Sequence, residues 1–164
     1  MTILLIEDDA VEVIKFNRSL VKLGESPEVI EASNGEEALE ALANNRNISL
    51  ILLDLNMPKM NGFEFLKKLR AHQEQKYIPT VVLTTSINRT DLIEAYSIGV
   101  AGYIVKPLKY EDYVSKIRAL LGYWKENELV DLTDKRPFVS PLFSKHGFCA
   151  KKQFTYKKQM FHNI

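Results

Sequence analysis

The run Ile48-Ser49-Leu50-Ile51-Leu52-Leu53 ends abruptly on an acid, Asp54. A short and almost wholly apolar run reads as a β-strand buried on both faces, as in a parallel sheet packed between helices. A carboxylate at the carboxyl end of such a strand stands where open α/β sheets bind their ligands. Asp54 is therefore either a cap for the next turn or a reacting group, and the other strand ends decide between the two.

Four further runs predict strands over residues 2–6, 27–32, 79–84 and 101–105. Helical patterns lie between and after them. Val13, Phe16, Leu20 and Leu23 recur at helical spacing, with Gly24 as a stop. Asn34 with Glu37 three residues on is a capping-box pair, followed by Ala38, Leu39 and Leu42 on one face. Phe63, Leu66 and Leu69 follow the Asn61-Gly62 turn, and Leu92, Ala95, Tyr96 and Ile98 end at Gly99. Tyr113, Val114, Ile117, Leu120 and Leu121 form a fifth helix expected to end at Gly122. Strand–helix alternation predicts a doubly wound parallel sheet with right-handed crossovers. Five βα units in this length suit the flavodoxin-like strand order 2-1-3-4-5.

Charge divides the chain. Residues 133–164 hold seven Lys or Arg and one acid, whereas residues 1–132 hold 15 basic and 20 acidic residues. The expected organisation is a domain over 1–122, a segment over 123–132 that extends the last helix or docks, and a basic C-terminal tail over 133–164. The tail's lysines alternate with aromatic residues, but prolines at 137 and 141 and the loss of periodicity favour a solvated tail over a nucleic-acid surface. The 46% hydrophobic and 26% charged composition excludes a wholly disordered chain. A single cysteine, Cys149, excludes an intramolecular disulfide. No apolar run approaches the ~18 residues of a membrane span, and the N-terminus lacks a secretory pattern. A cytoplasmic location is expected.

Strand one ends in Glu7-Asp8-Asp9, strand three in Asp54, strand four in Thr84-Thr85-Ser86 and strand five in Lys106-Pro107. In a parallel sheet these ends share one edge, and in the order 2-1-3-4-5 the four strands are neighbours. Clustered carboxylates repel unless a cation intervenes. Hard oxygen ligands with room for water suit Mg²⁺. A carboxylate can be a nucleophile toward phosphorus, and an ammonium with a hydroxyl can stabilise the phosphoryl group it acquires. Asp9 is expected to cap the first helix.

These residues resemble the receiver domain of two-component response regulators in its single-domain, CheY-like form. The resemblance is carried by Leu4-Leu5-Ile6-Glu7-Asp8-Asp9, by Asp54 with Met57-Pro58 and Gly62, by Val82-Leu83-Thr84-Thr85, and by Gly102-Tyr103-Ile104-Val105-Lys106-Pro107. It implies Asp54 as phosphoacceptor. It also implies Mg²⁺ held by Asp8, Asp54, the main-chain carbonyl of Asn56 and, through water, Glu7. Thr84 matches the switch hydroxyl, Lys106 the phosphate-pairing lysine and Tyr103 the aromatic switch. Asn56, Thr85 and Ser86 match positions that tune phosphoryl lifetime and access. The Lys106-Pro107 bond is expected to be cis. The chain is then no conventional enzyme but catalyses its own phosphorylation and dephosphorylation. Its partners would be a sensor histidine kinase or a histidine phosphotransfer protein, and a downstream protein on the strand 4–helix 4–strand 5 face. A homodimer is left open. Val82-Leu83-Thr84-Thr85-Ser86 and Tyr123-Trp124 also resemble regulators that partner phytochrome-type kinases.

Four other readings compete. A receiver fold could act as a constitutive binding module, and the tail could bind nucleic acid. A haloacid dehalogenase-type phosphatase needs a second acid two residues after its nucleophile, where Asn56 stands. A flavodoxin needs a phosphate loop after strand one, where three acids stand.

Overall fold

The structure is a computed structural model describing residues 1–130 and 132–133. Past Thr133 the expected tail lies outside the described residues. Five strands, β1 (Thr2–Ile6), β2 (Glu28–Ala32), β3 (Ile48–Leu53), β4 (Thr80–Thr84) and β5 (Gly102–Val105), form one parallel sheet in the order β2-β1-β3-β4-β5. The helices are α1 (Ala10–Leu23), α2 (Gly35–Asn44), α3 (Gly62–Ala71), α4 (Arg89–Ile98) and α5 (Tyr110–Lys125). The flavodoxin-like expectation holds. A one-turn 3₁₀ helix at Gln75–Tyr77, before β4, has no counterpart in the sequence reading.

Alternation along each strand separates two cores. Leu4, Ile6, Ile51, Leu53 and Val82 face α2, α3 and α4 through Leu42, Phe65, Leu69 and Ala95. Ile3, Leu5, Leu50, Leu52, Val81 and Leu83 face α1 and α5 through Phe16, Leu20, Tyr113, Ile117 and Leu121. β1 and β3 sit mid-sheet and are almost wholly buried, which is why they read as continuous apolar runs.

Helix ends follow side-chain chemistry. Asp9 caps α1 by accepting from the Val11 N–H at 2.8 Å. Gly24 and Gly99 stop α1 and α4 in the left-handed region, at φ of 68° and 103°. Asn34 accepts from the Glu36 and Glu37 N–H groups, but Glu37 reaches back to the N–H of Ser33, one residue earlier than a capping box requires. The reciprocal box forms instead on α3, between Asn61 and Glu64.

The fifth helix differs from expectation. It runs through Gly122 to Lys125, and Trp124 packs on the α1–α5 core. Burial of Trp124 outweighs a glycine cost of about 1 kcal/mol. Leu132 packs against the opposite core, with Leu42 and Ile78 among its neighbours.

Candidate functional site

Strand register brings the polar strand ends together. The Asp54 N–H donates to Ile6 O at 2.9 Å, and the Glu7 N–H donates to Ala32 O at 2.9 Å. The Lys106 N–H donates to Thr84 O at 2.7 Å. These bonds continue the ladder one residue past the strands, so the last ordered backbone positions carry Glu7, Asp54 and Lys106.

Carboxylate oxygens of Glu7, Asp8 and Asp54 all lie within 4.8 Å of one another. Glu7 and Asp54 are buried, and Asp8 is exposed. Burial pushes the Glu7 carboxyl up to about 7, and the nearby Asp54 adds to this against the opposing pull of Lys106. A cavity of ≈ 480 Å³ opens beside Glu7 and Asp8 toward α1 and β2.

Asp54 Oδ1 is buried and has no hydrogen-bond partner among the described residues. An unsatisfied buried acceptor costs about 1–3 kcal/mol, so its presence calls for an explanation. Three converging carboxylates with an orphaned oxygen fit a hard divalent cation, which would neutralise their repulsion and coordinate that oxygen. Glu7, Asp8 and Asp54 are the side chains that would hold it.

Lys106 reaches this acid cluster, and hydroxyl groups lie at and after the end of the neighbouring strand β4. Lys106 Nζ forms a buried ion pair with Glu7 Oε2 and lies 3.8 Å from Glu12 Oε2. The Thr84 hydroxyl is buried and accepts from the Ser86 N–H at 3.3 Å. Ser86 Oγ donates to Asp91 Oδ2 at 2.7 Å and accepts from the Asn88 N–H at 3.2 Å. Tyr103 is half-buried, its hydroxyl donating to Ser86 O at 3.2 Å, and burial pushes its phenol up. Asn56 and Thr85 are exposed on the loops after β3 and β4.

One expectation is corrected. The described residues contain no cis peptide bond, so Lys106-Pro107 is trans. Trans is the default by about 0.5–1 kcal/mol for such a bond. Other contacts hold the lysine: its N–H is fixed on Thr84, its ammonium on Glu7, and Lys116 Nζ donates to Val105 O at 2.7 Å.

The loop after Asp54 also needs a glycine. An added Cβ on Gly62 would sit 2.5 Å from Asp54 O and 2.8 Å from Leu55 Cα, both backbone atoms. The Gly62 N–H donates to Leu55 O at 3.0 Å, folding the start of α3 against the loop that carries Asp54. Lys59, midway along this loop, takes a left-handed backbone with φ 62°.

Sequence reasoning missed Glu12 and Lys15 and read Tyr113 only as a core position of the fifth helix. Lys15 Nζ bonds Glu12 Oε1 at 3.1 Å and lies 4.5 Å from the centroid of the Tyr113 ring. The available signal was position: Glu12 is in the first turn of the helix that leaves the acid cluster.

Comparison with known proteins agrees with this geometry. The model of the family described as response regulator receiver domain matches residues 3–118. The chain is 34% identical over 122 residues to a chemotaxis protein CheY homolog of Campylobacter jejuni, spanning 74% of this chain and 93% of that protein. It is 35% identical to chemotaxis protein CheY1 of Helicobacter pylori, spanning 74% and 98%. Among solved structures, the phosphorylated cyanobacterial phytochrome response regulator RcpA superposes with TM-score 0.73 at 32% identity, covering 78% of this chain and 96% of that one. The Mn²⁺-bound form of response regulator Rcp1 gives TM-score 0.72 at 32% identity, covering 79% and 98%. With its acid cluster, its sheet order and these relatives, the chain belongs to the response regulator receiver domain family.

Proposed function

We propose that the chain is a phosphorylation switch whose Asp54 accepts a phosphoryl group from the phosphohistidine of a sensor histidine kinase or a histidine phosphotransfer protein. The observation that carries this reading is Asp54 Oδ1, a buried carboxylate oxygen amid other acids with no hydrogen-bond partner among the described residues. Asp54 attacks phosphorus as the histidine N–P bond breaks. The nitrogen keeps the bonding pair and takes a proton, and Asp54 becomes a mixed anhydride. Mg²⁺, held by Glu7 through water, Asp8, Asp54 and the Asn56 carbonyl, would supply charge neutralisation for the transferred oxygens. Water attack on the anhydride returns the free carboxylate.

The chain's own groups complete the switch. The added charge of about −1.5 to −2 draws the Lys106 ammonium toward Asp54. The Thr84 hydroxyl, now accepting from the Ser86 N–H, turns to donate to a phosphoryl oxygen. The loop after β4 moves with it, and Tyr103, bonded to Ser86 O, reports the change to β5. Leu92, Ile93 and Tyr96 on α4 are exposed and would meet a downstream protein on the β4–α4–β5 face. Thr85 stands at the rim and Ser86 is turned to Asp91, so both would tune access and lifetime.

We place the receiver unit at 1–132 rather than 1–122, because α5 continues to Lys125 and Leu132 packs on the core. A cytoplasmic site is consistent with this role, and no described helix is long and apolar enough to cross a membrane.

The test is labelling with acetyl phosphate. Incorporation should require Mg²⁺, fall away with a chelator and vanish in Asp54→Asn. Equal labelling of that variant contradicts the proposal.

A further inference from the structure

The Lys106 ammonium is shared between two carboxylates, and the second belongs to no part of the acid cluster. The Lys106 side chain is only 3% exposed, so its charge must stay paired wherever it points. Glu7 provides one partner but is itself in the acid cluster. Glu12, one turn along α1 and 19% exposed, provides the other at 3.8 Å.

Glu12 is not free to swing away. Lys15 Nζ holds its two oxygens at 3.1 and 3.4 Å. Lys15 in turn rests over the ring of Tyr113, which is 1% exposed in the first turn of α5. This brace links the first turns of α1 and α5 and holds a second carboxylate within 3.8 Å of the Lys106 ammonium. Among the described residues, Lys106 pairs with Glu7 and Glu12 and not with Asp54.

We infer that Glu12 is a positioning residue: braced by Lys15 and Tyr113, it competes with the Asp54 phosphoryl group for the Lys106 ammonium. This rests on the phosphoacceptor reading of Asp54. When a cation engages Glu7, Glu12 keeps the buried ammonium paired. When Asp54 carries a phosphoryl group, Lys106 must leave Glu12 to reach it, so Glu12 weakens retention of the phosphorylated state.

The experiment measures the affinity of the full-length protein for beryllofluoride, a non-covalent phosphoryl mimic, by fluorine NMR in excess Mg²⁺. Glu12→Gln should tighten binding by at least about threefold, as for loss of a partly buried charge contact. Glu12→Asp keeps the charge but withdraws it by one methylene, and should tighten binding like Glu12→Gln. In a Lys106→Met background the further change Glu12→Gln should have no effect, because its action passes through the lysine. A smaller gain in Glu12→Gln, a wild-type affinity in Glu12→Asp, or an equal gain in the Lys106→Met background each overturns the inference. Retained wild-type binding with any of those results leaves the phosphoacceptor reading standing. A wild-type protein that binds no beryllofluoride removes both.

Discussion

The two edges of one sheet treat polar groups in opposite ways. At the amino edge, Thr2 Oγ1 donates to Glu28 Oε2 at 2.8 Å, and Asn47 Nδ2 donates to both, at 3.3 and 3.2 Å. Where the β1–β3 register shifts at Thr2, Ser49 Oγ accepts from the Thr2 N–H and donates to Thr2 O, both at 3.1 Å. Lys125 pairs with Glu25 beside them. At the carboxyl edge, acids converge and Asp54 Oδ1 has no hydrogen-bond partner among the described residues. The larger cavity, ≈ 730 Å³ and bordered by Thr2, Asn47 and Trp124, lies at the amino edge. Unsatisfied polarity, not cavity size, distinguishes the carboxyl edge. The fold pairs the polar groups of its amino edge and tolerates like-charge repulsion at its carboxyl edge, where a cation would relieve it.

Substitutions at the two edges should separate them, and Gly62 gives the largest effect. Gly62→Ala forces a Cβ against the backbone of Asp54 and Leu55, and should cost about 3 kcal/mol in denaturant unfolding. Loss smaller than about 1 kcal/mol would show that the Asp54 loop can yield. Next come the polar groups. Thr2→Val removes a satisfied bond and should destabilise by about 1 kcal/mol, whereas Asp54→Asn relieves repulsion and should stabilise the metal-free protein by a similar amount. Equal signs for the two would break the comparison.

Glu7 gives the carboxyl edge a pH signature. Its carboxyl is pushed up from 4.5 to about 7 in the folded protein, so the fold holds this proton more tightly than the unfolded chain does. The resulting contribution to stability is fully present below about pH 4.5 and is lost as pH rises through about 7. Unfolding of the metal-free protein across this range should show that decline for wild type and a flatter profile for Glu7→Gln. The smallest effect belongs to Gly122, in the last turn of α5. Nothing lies within 4 Å of an added Cβ there, so Gly122→Ala should stabilise by up to about 1 kcal/mol.

Local pattern made much of this legible. All five strands follow from short runs between helical patterns, and Gly24 and Gly99 stop their helices as expected. That Glu7, Asp54 and Lys106 come together is legible because parallel strand ends share an edge. What stayed hidden depends on tertiary contact. Gly122 reads locally as a stop, but Trp124 two residues on has a core to join. The cis expectation at Lys106-Pro107 came from resemblance alone, and the backbone here is trans. Glu12 is marked only by its place in the first turn of α1, since its approach to Lys106 depends on tertiary packing. Arg70 is similar: it donates to Gly99 O, Lys76 O and Ile78 O, stitching α3 to the ends of α4 and the 3₁₀ turn.

The most direct measurement locates the phosphoryl group in the wild-type chain. After incubation with acetyl phosphate and Mg²⁺, intact mass should show one added phosphoryl group per chain. Borohydride reduction and peptide mapping should then place it on Asp54. A group placed on any other residue, or no addition at all, would contradict the account.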